Sequence, residues 1–301
     1  MEHRPVQGFG ALEPPSSEVA LLYLDEVAVV EQRREERIDR RAVAWQAIGT
    51  AAMSAGVLTA YLLIMRVEAS ATQPLLFLLI VTSQISAGLG ERHGVQWHTP
   101  GSKKWYITVV VLFAVAMLGS FFALLMSREP RPVWAYLIPG AIMLLGFGGL
   151  GSVQLWKTRG IAPAVRTAPD PIPFATRIAT ASVGLLMGFA TLSIGIRDDL
   201  AISIVTLVLM MFVVGWIFAW TTDAGPAALG RYWRWPQFSA FVLSSATMVW
   251  LSMQSAYAGP VATSTCLIGG ALVAALLVGS AVLPERRAPR RAEWRTGGRD
   301  V

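Results

Sequence analysis

Among 301 residues the chain has one cysteine, three histidines and three lysines, and over long stretches it carries no charge at all. The lone cysteine, Cys266, lies inside an apolar run, which excludes an intramolecular disulfide and a cysteine-based metal centre. Charged residues make up 15% of the chain against 54% apolar, and the mean hydropathy is +0.53. A soluble domain has no interior large enough for so much apolar surface, so the scarcity of charge points to a bilayer. The first 43 residues also lack the short apolar core and small-residue cleavage site of a removable leader. The first long apolar run is therefore expected to act as the insertion signal.

A hydrocarbon core about 30 Å thick takes roughly 20 apolar residues per helix. Eight uncharged runs of that order occur, at 45–65, 73–90, 105–126, 133–155, 178–196, 200–220, 237–255 and 262–283. Backbone facing lipid must satisfy its hydrogen bonds within its own segment, so each run is expected to be a helix. The fold class that follows is all-α, a polytopic transmembrane bundle of about eight spans. The least apolar runs are the second, with Thr82, Ser83, Gln84 and Ser86, and the serine-rich seventh.

Basic residues give the orientation, because Lys and Arg are retained on the cytoplasmic side. The two tails and the loops after spans two, four and six hold 21 of the 25 basic residues. The remaining loops hold only Arg66, Arg128, Arg131 and Arg197. Both termini are thus expected in the cytoplasm, and the net charge of +6 is a topology signal, with no nucleic-acid partner implied. Arg outnumbers Lys by 22 to 3, and Ala and Gly are abundant, as in a GC-rich bacterial genome of the actinobacterial kind. The expected location is the bacterial inner membrane.

Shifting the chain on itself by 130 residues brings the first four runs onto the last four in order. Ile48, Thr50 and Ala51 meet Ile178, Thr180 and Ala181; Trp105 meets Trp235; Leu137, Ile138, Gly140 and Ala141 meet Leu267, Ile268, Gly270 and Ala271. The pattern predicts a tandem duplication of a four-helix unit, with the halves in parallel orientation about a pseudo-twofold axis along the membrane normal. The domain organisation expected is a cytoplasmic segment at 1–43, a first unit at 44–156, a Pro-rich linker at 157–177, a second unit at 178–284 and a basic tail at 285–301. The charged segment ahead of span one, the stretch Arg92, Gly94 and Val95 before Trp105, and Trp134 opening span four make each unit resemble small four-span actinobacterial membrane proteins of unknown function. That resemblance implies the fold and no site.

Ionisable groups inside a bilayer are costly and mark transport pathways. None of the eight runs contains Asp, Glu, His, Lys or Arg, which argues against proton-coupled transport and leaves no catalytic residue to assign. Gln84, with Ser83, Thr82 and Ser86, is the candidate ligand-binding cluster, because an amide in hydrocarbon needs partners; the plainer reading is hydrogen bonding between helices. Glu91, His93 and His98 after span two are too few and too loosely spaced for a metal site, and no cofactor is expected. Ser16 and Ser17 start a breaker-free segment at 19–41, apolar and then charged. Its Arg33, Arg34, Arg37, Arg40 and Arg41 are expected to contact the membrane surface, or else its apolar half docks a cytoplasmic partner such as an ATPase or a regulator. Trp45, Trp105, Tyr106, Trp134, Tyr136, Trp156, Trp220, Trp233 and Trp235 cluster at span ends as an interfacial belt.

These readings describe a non-enzymatic permease-like subunit or membrane scaffold. Two alternatives follow from the same residues. One is a membrane enzyme acting on a lipid-linked substrate through Arg92, His93 and His98. The other is a sensor or immunity protein that binds a hydrophobic ligand within the bundle.

Overall fold

The computed structural model describes residues 23–24, 26–27, 29–30, 39–68, 72–92, 104–127, 131–160, 171–196, 198–220 and 222–283, and among these there is no strand. The helices are α1 (Arg40–Val67), α2 (Gln73–Arg92), α3 (Lys104–Leu125), α4 (Val133–Lys157), α5 (Phe174–Ser193), α6 (Asp199–Phe218), α7 (Pro226–Tyr232), α8 (Trp235–Tyr257) and α9 (Thr263–Val282). Seven of them, all but α7 and α8, are long and apolar enough to cross a membrane. That is what a multi-pass all-α bundle requires.

The seventh expected span, 237–255, forms α8, which is long enough at 23 residues but carries too many polar side chains to qualify by composition. Its position accounts for the polarity. It packs against α1, α2, α5 and α9, and the buried side chains Gln237, Phe241, Ser244, Ser245, Met248, Ser252 and Ser255 recur on one helical face. The face of a helix that meets other helices need not be apolar, while the outer face of α8 exposes Val242, Leu243 and Trp250. The helices that face outward show the converse: in the apolar windows of α3 and α6 the mean hydropathy reaches 2.5 and 2.6, with 0% and 22% of residues buried.

Each half pairs its helices in the same order. α1 packs on α2 and α4, and α3 on α4; α5 packs on α6 and α9, and α8 on α9. Small residues let the first and last helices of each half approach closely. A Cβ placed at Gly140 would meet the Ala55 carbonyl oxygen at 3.0 Å, and one at Gly270 would meet the Gly188 carbonyl oxygen at 2.6 Å. The halves do not meet about a twofold, however. Such an axis would give α6 the contact with α3 that α2 makes with α8, whereas α6 packs chiefly on α5 and α2, and α3 chiefly on α4.

Three local features depart from the sequence expectation. First, α5 begins at Phe174, so the linker is shorter than 157–177 and Arg177 lies in the first turn of the helix. Pro173 is the N-cap, with a φ of −59° that suits a helix start; the apolar run under-reads the helix because one arginine is tolerated at its end. Second, α7 is a helix that no apolar run announces, since it has only seven residues, and Pro226 opens it after Gly225. Third, α4 is not uniform: it begins as a 3₁₀ turn over Val133–Leu137 and contains a π turn over Leu144–Gly148. Ahead of α1, the residues Tyr23, Leu24, Glu26, Val27, Val29 and Val30 are helical and exposed.

Helix registers sort the ends into two layers. Gly151 of α4 lies beside Ala44 and Ile48 of α1, Gly195 beyond α5 beside Cys266 of α9, and Gln237 of α8 beside Ser280 of α9. The start of α1, the ends of α2 and α4, the starts of α5 and α8 and the end of α9 therefore share one layer. Arg40, Arg41, Arg92, Lys157, Arg159, Arg177, Arg231 and Arg234 all belong to it, and the opposite layer has Arg66 and Arg131.

Candidate functional site

The polar residues of α2 do not converge. The Thr82 hydroxyl is buried and donates to the Leu78 carbonyl at 2.8 Å, while that of Ser83 is exposed and donates to the Ile80 carbonyl at 2.7 Å. Ser86 faces α1: its hydroxyl donates to the Thr82 carbonyl at 2.8 Å and reaches Thr50 Oγ1 at 3.2 Å, and its own carbonyl accepts from Gln46 Nε2 at 2.8 Å. Gln84 is half-buried, and its Oε1 has no partner among the described residues. Thr82 and Ser86 thus share the side toward α1, and Ser83 and Gln84 stand apart from them. Of the five arginines expected at the membrane surface, Arg40 and Arg41 open α1, where Asp39 accepts from the Ala42 N–H at 2.9 Å. Arg33, Arg34 and Arg37 lie outside the described residues, as do His93 and His98.

The most developed polar constellation is one that sequence reasoning missed, at the seam between the halves. α7 is buried through Pro226, Ala227, Ala228, Leu229 and Gly230 and lies directly on α2. A Cβ at Gly88 would run into the Ala227 carbonyl, and one at Gly230 into the Ile85 carbonyl. Only glycine permits two helices to meet backbone to backbone in this way. Around that crossing, Arg231 of α7 pairs with Glu91 of α2, and this hydrogen bond raises the Arg231 pKa above its ordinary value. Arg92 donates from α2 to the Trp233 carbonyl at 2.6 Å.

Trp233 is fully buried, with its ring centroid 5.6 Å from those of both Phe238 and Phe241. Its indole N–H donates to Thr180 Oγ1 of α5 at 2.9 Å. Trp233 therefore does not belong to the interfacial belt expected from its position near a span end. Tyr136 departs likewise, being buried with the Arg66 guanidinium over its ring at 5.7 Å. Trp45, Trp134, Trp156 and Trp235 are exposed as a belt requires.

The signal that pointed to this seam was available in the stretch Gly225-Pro226 followed by Trp233-Arg234-Trp235, a helix start and a tryptophan cluster within one short loop. Chemically the arrangement offers attachment. Buried hydroxyls at Thr82, Thr180, Thr191 and Ser245 donate to carbonyls of their own helices, and no group of three potential metal ligands occurs among the described residues. Compared with known protein families, with curated protein sequences and with solved structures, the chain matches none.

Proposed function

We propose that the chain is a non-enzymatic protein of the bacterial inner membrane, a scaffold or permease-like subunit made of two duplicated four-helix units with both termini in the cytoplasm. The observation that carries this reading is the seam. α2 and α7 cross in backbone contact, Arg92 with Trp233 and Glu91 with Arg231 join the halves, and Thr180 holds Trp233 from within the second half. Of the three residues of the enzyme alternative, Arg92 donates to the Trp233 carbonyl, and His93 and His98 lie outside the described residues. Duplication is supported by the common pairing order of the two halves and by Gly140 and Gly270, which match under the 130-residue shift. Each sits where the last helix of its unit crosses the first. Orientation is supported by the layer of basic residues, which belongs on the cytoplasmic side.

Two measurements test the reading. Purification of the full chain in mild detergent recovers an ATPase or other cytoplasmic partner if the protein is a subunit, and yields a clean homo-oligomer if it is not. In a Cys266→Ala background, a membrane-impermeant thiol reagent applied to intact cells labels Ser127→Cys and spares Arg159→Cys until lysis. The reverse pattern would overturn the orientation.

A further inference from the structure

The way the halves meet leaves one contact unmade. α2 and α8 pack on each other across the seam, whereas their counterparts under the 130-residue shift do not: α6 packs chiefly on α5 and α2, and α3 chiefly on α4. The stripes that such a contact needs are nonetheless present. Pro74, Leu78, Val81, Ile85 and Gly88 are buried on α2, and Phe241, Ser245, Met248, Ser252 and Ser255 on α8. In both helices these residues follow at alternate intervals of four and three, the spacing that keeps a set on one side of a helix and along one packed partner. Shifted by 130, the α2 stripe falls on Ile204, Val208, Met211, Gly215 and Phe218 of α6, and the α8 stripe on Val111, Val115, Leu118, Phe122 and Leu125 of α3. Every one of these counterparts is exposed. The three serines of the α8 stripe give way to Val115, Phe122 and Leu125, so the α3 stripe leaves no hydroxyl to satisfy while it faces lipid.

We infer that a second copy of this chain supplies the missing contact, its α6 lying against α3 stripe to stripe, with Leu118 and Met211 at the middle. The seam is heterologous, because the surfaces of α2 and α8 that face each other are different. In a duplicated chain such a contact uses one surface of each kind and leaves the other of each kind open, and a further copy closes it. Helix direction agrees. Phe121, near the end of α3, stacks on Tyr61 in the outer half of α1, and Thr206, in the first half of α6, lies against Gln73 at the start of α2. α3 therefore runs away from the basic layer and α6 towards it, as α8 and α2 do. A second copy inserted in the same orientation then sets α6 antiparallel to α3, the relation that α2 has to α8. Lipid alone would cover any apolar face and gives no reason for two exposed stripes to repeat two buried ones. The inference rests on the duplication proposed above, and not on the choice between scaffold and subunit.

The experiment is disulfide cross-linking of full chains in native membranes, in the Cys266→Ala background. Leu118→Cys and Met211→Cys chains with different tags are coexpressed and oxidised. A linked pair carrying both tags is expected, with only traces of linked product from either chain expressed alone. Self-association of the purified chain in liposomes, read by single-molecule photobleaching over a range of protein-to-lipid ratios, gives the second arm. Leu118→Ala/Met211→Ala is expected to weaken it by roughly tenfold or more. Leu112→Ala/Ile217→Ala, exposed on the same two helices but outside the stripes, is expected to leave it unchanged. A chain that stays monomeric at every ratio overturns the inference. So does a link that forms equally well from one variant alone, or an association that Leu118→Ala/Met211→Ala does not weaken. Glu91→Cys/Arg231→Cys reports the seam itself through a link within one chain. That link without any pairing of copies removes the inference alone, whereas its absence removes the seam and the reading built on it.

Discussion

The Arg92 guanidinium donates to the Trp233 carbonyl at 2.6 Å, joining the last turn of α2 to the residue between α7 and α8 across 141 positions of sequence. The bond is charge-assisted, and its acceptor belongs to a fully buried residue. Arg92→Ala leaves that carbonyl without this donor and is expected to destabilise the bundle by about 1–3 kcal/mol. Arg92→Lys keeps a donor of shorter reach and recovers part of the loss. Thermal unfolding in detergent, followed by tryptophan fluorescence, measures both; equal midpoints for wild type and Arg92→Ala would show that the bond does not hold the seam.

At Gly88 the prediction is steric. Any side chain there collides with the Ala227 carbonyl, which is backbone and cannot rotate away. Gly88→Ala is therefore expected to push α7 off α2 and to cost more than about 2 kcal/mol, although alanine is the better helix former by about 1 kcal/mol. Gly215→Ala, with nothing within 4 Å of the new methyl group, is expected to be neutral or stabilising. Hydrogen exchange of the α7 amides separates the two outcomes: fast exchange in Gly88→Ala and none gained in Gly215→Ala.

The contrast between these glycines shows what the sequence could and could not convey. Apolar length is a bulk property, so the seven apolar spans were legible from windows of residues. Partner choice is not, because Gly88 and Gly215 look alike until α7 is known to lie on one of them. α8 was legible as a helix, but the reason for its serines was not, since the packing of one face on α1, α2, α5 and α9 is a long-range fact. Trp233 misled for a related reason. A tryptophan near a span end usually belongs to the interfacial belt, and only the partner Thr180, 53 residues away, shows it to be core. Thr82, Ser83, Gln84 and Ser86 are close in sequence, but a helix turns neighbours to different sides, so that only Thr82 and Ser86 share the side toward α1.

Trp233 gives a graded test of that core. Trp233→Ala removes a fully buried ring packed against Phe238 and Phe241, for an expected cost of about 3–5 kcal/mol. Trp233→Phe keeps much of the packing and loses the N–H to Thr180, whose own hydroxyl still donates to the Thr176 carbonyl at 2.8 Å. Its expected cost is smaller, about 1–2 kcal/mol. Unfolding midpoints in the order wild type, Trp233→Phe, Trp233→Ala are the expected result, and a Trp233→Phe variant as damaged as Trp233→Ala would place the weight on the hydrogen bond.

The buried stripe of α8 makes a prediction of opposite sign for two of its polar members. Gln237 is buried and fully employed: its Nε2 donates to the Ser280 carbonyl at 2.8 Å, and its Oε1 accepts from the Arg234 N–H at 3.1 Å. Gln237→Ala strands both partners and is expected to destabilise by about 2–3 kcal/mol. Ser252 is equally buried, at 0% exposure, and its hydroxyl has no partner among the described residues. Leaving a hydroxyl unpaired away from water costs about 1–3 kcal/mol. Ser252→Ala removes that cost together with one atom of packing, so the midpoint is expected to stay level or rise while that of Gln237→Ala falls. A large drop for Ser252→Ala would mean that the hydroxyl is satisfied in the membrane by a water or a ligand, and the interior of the bundle would then be wetter than its packing indicates.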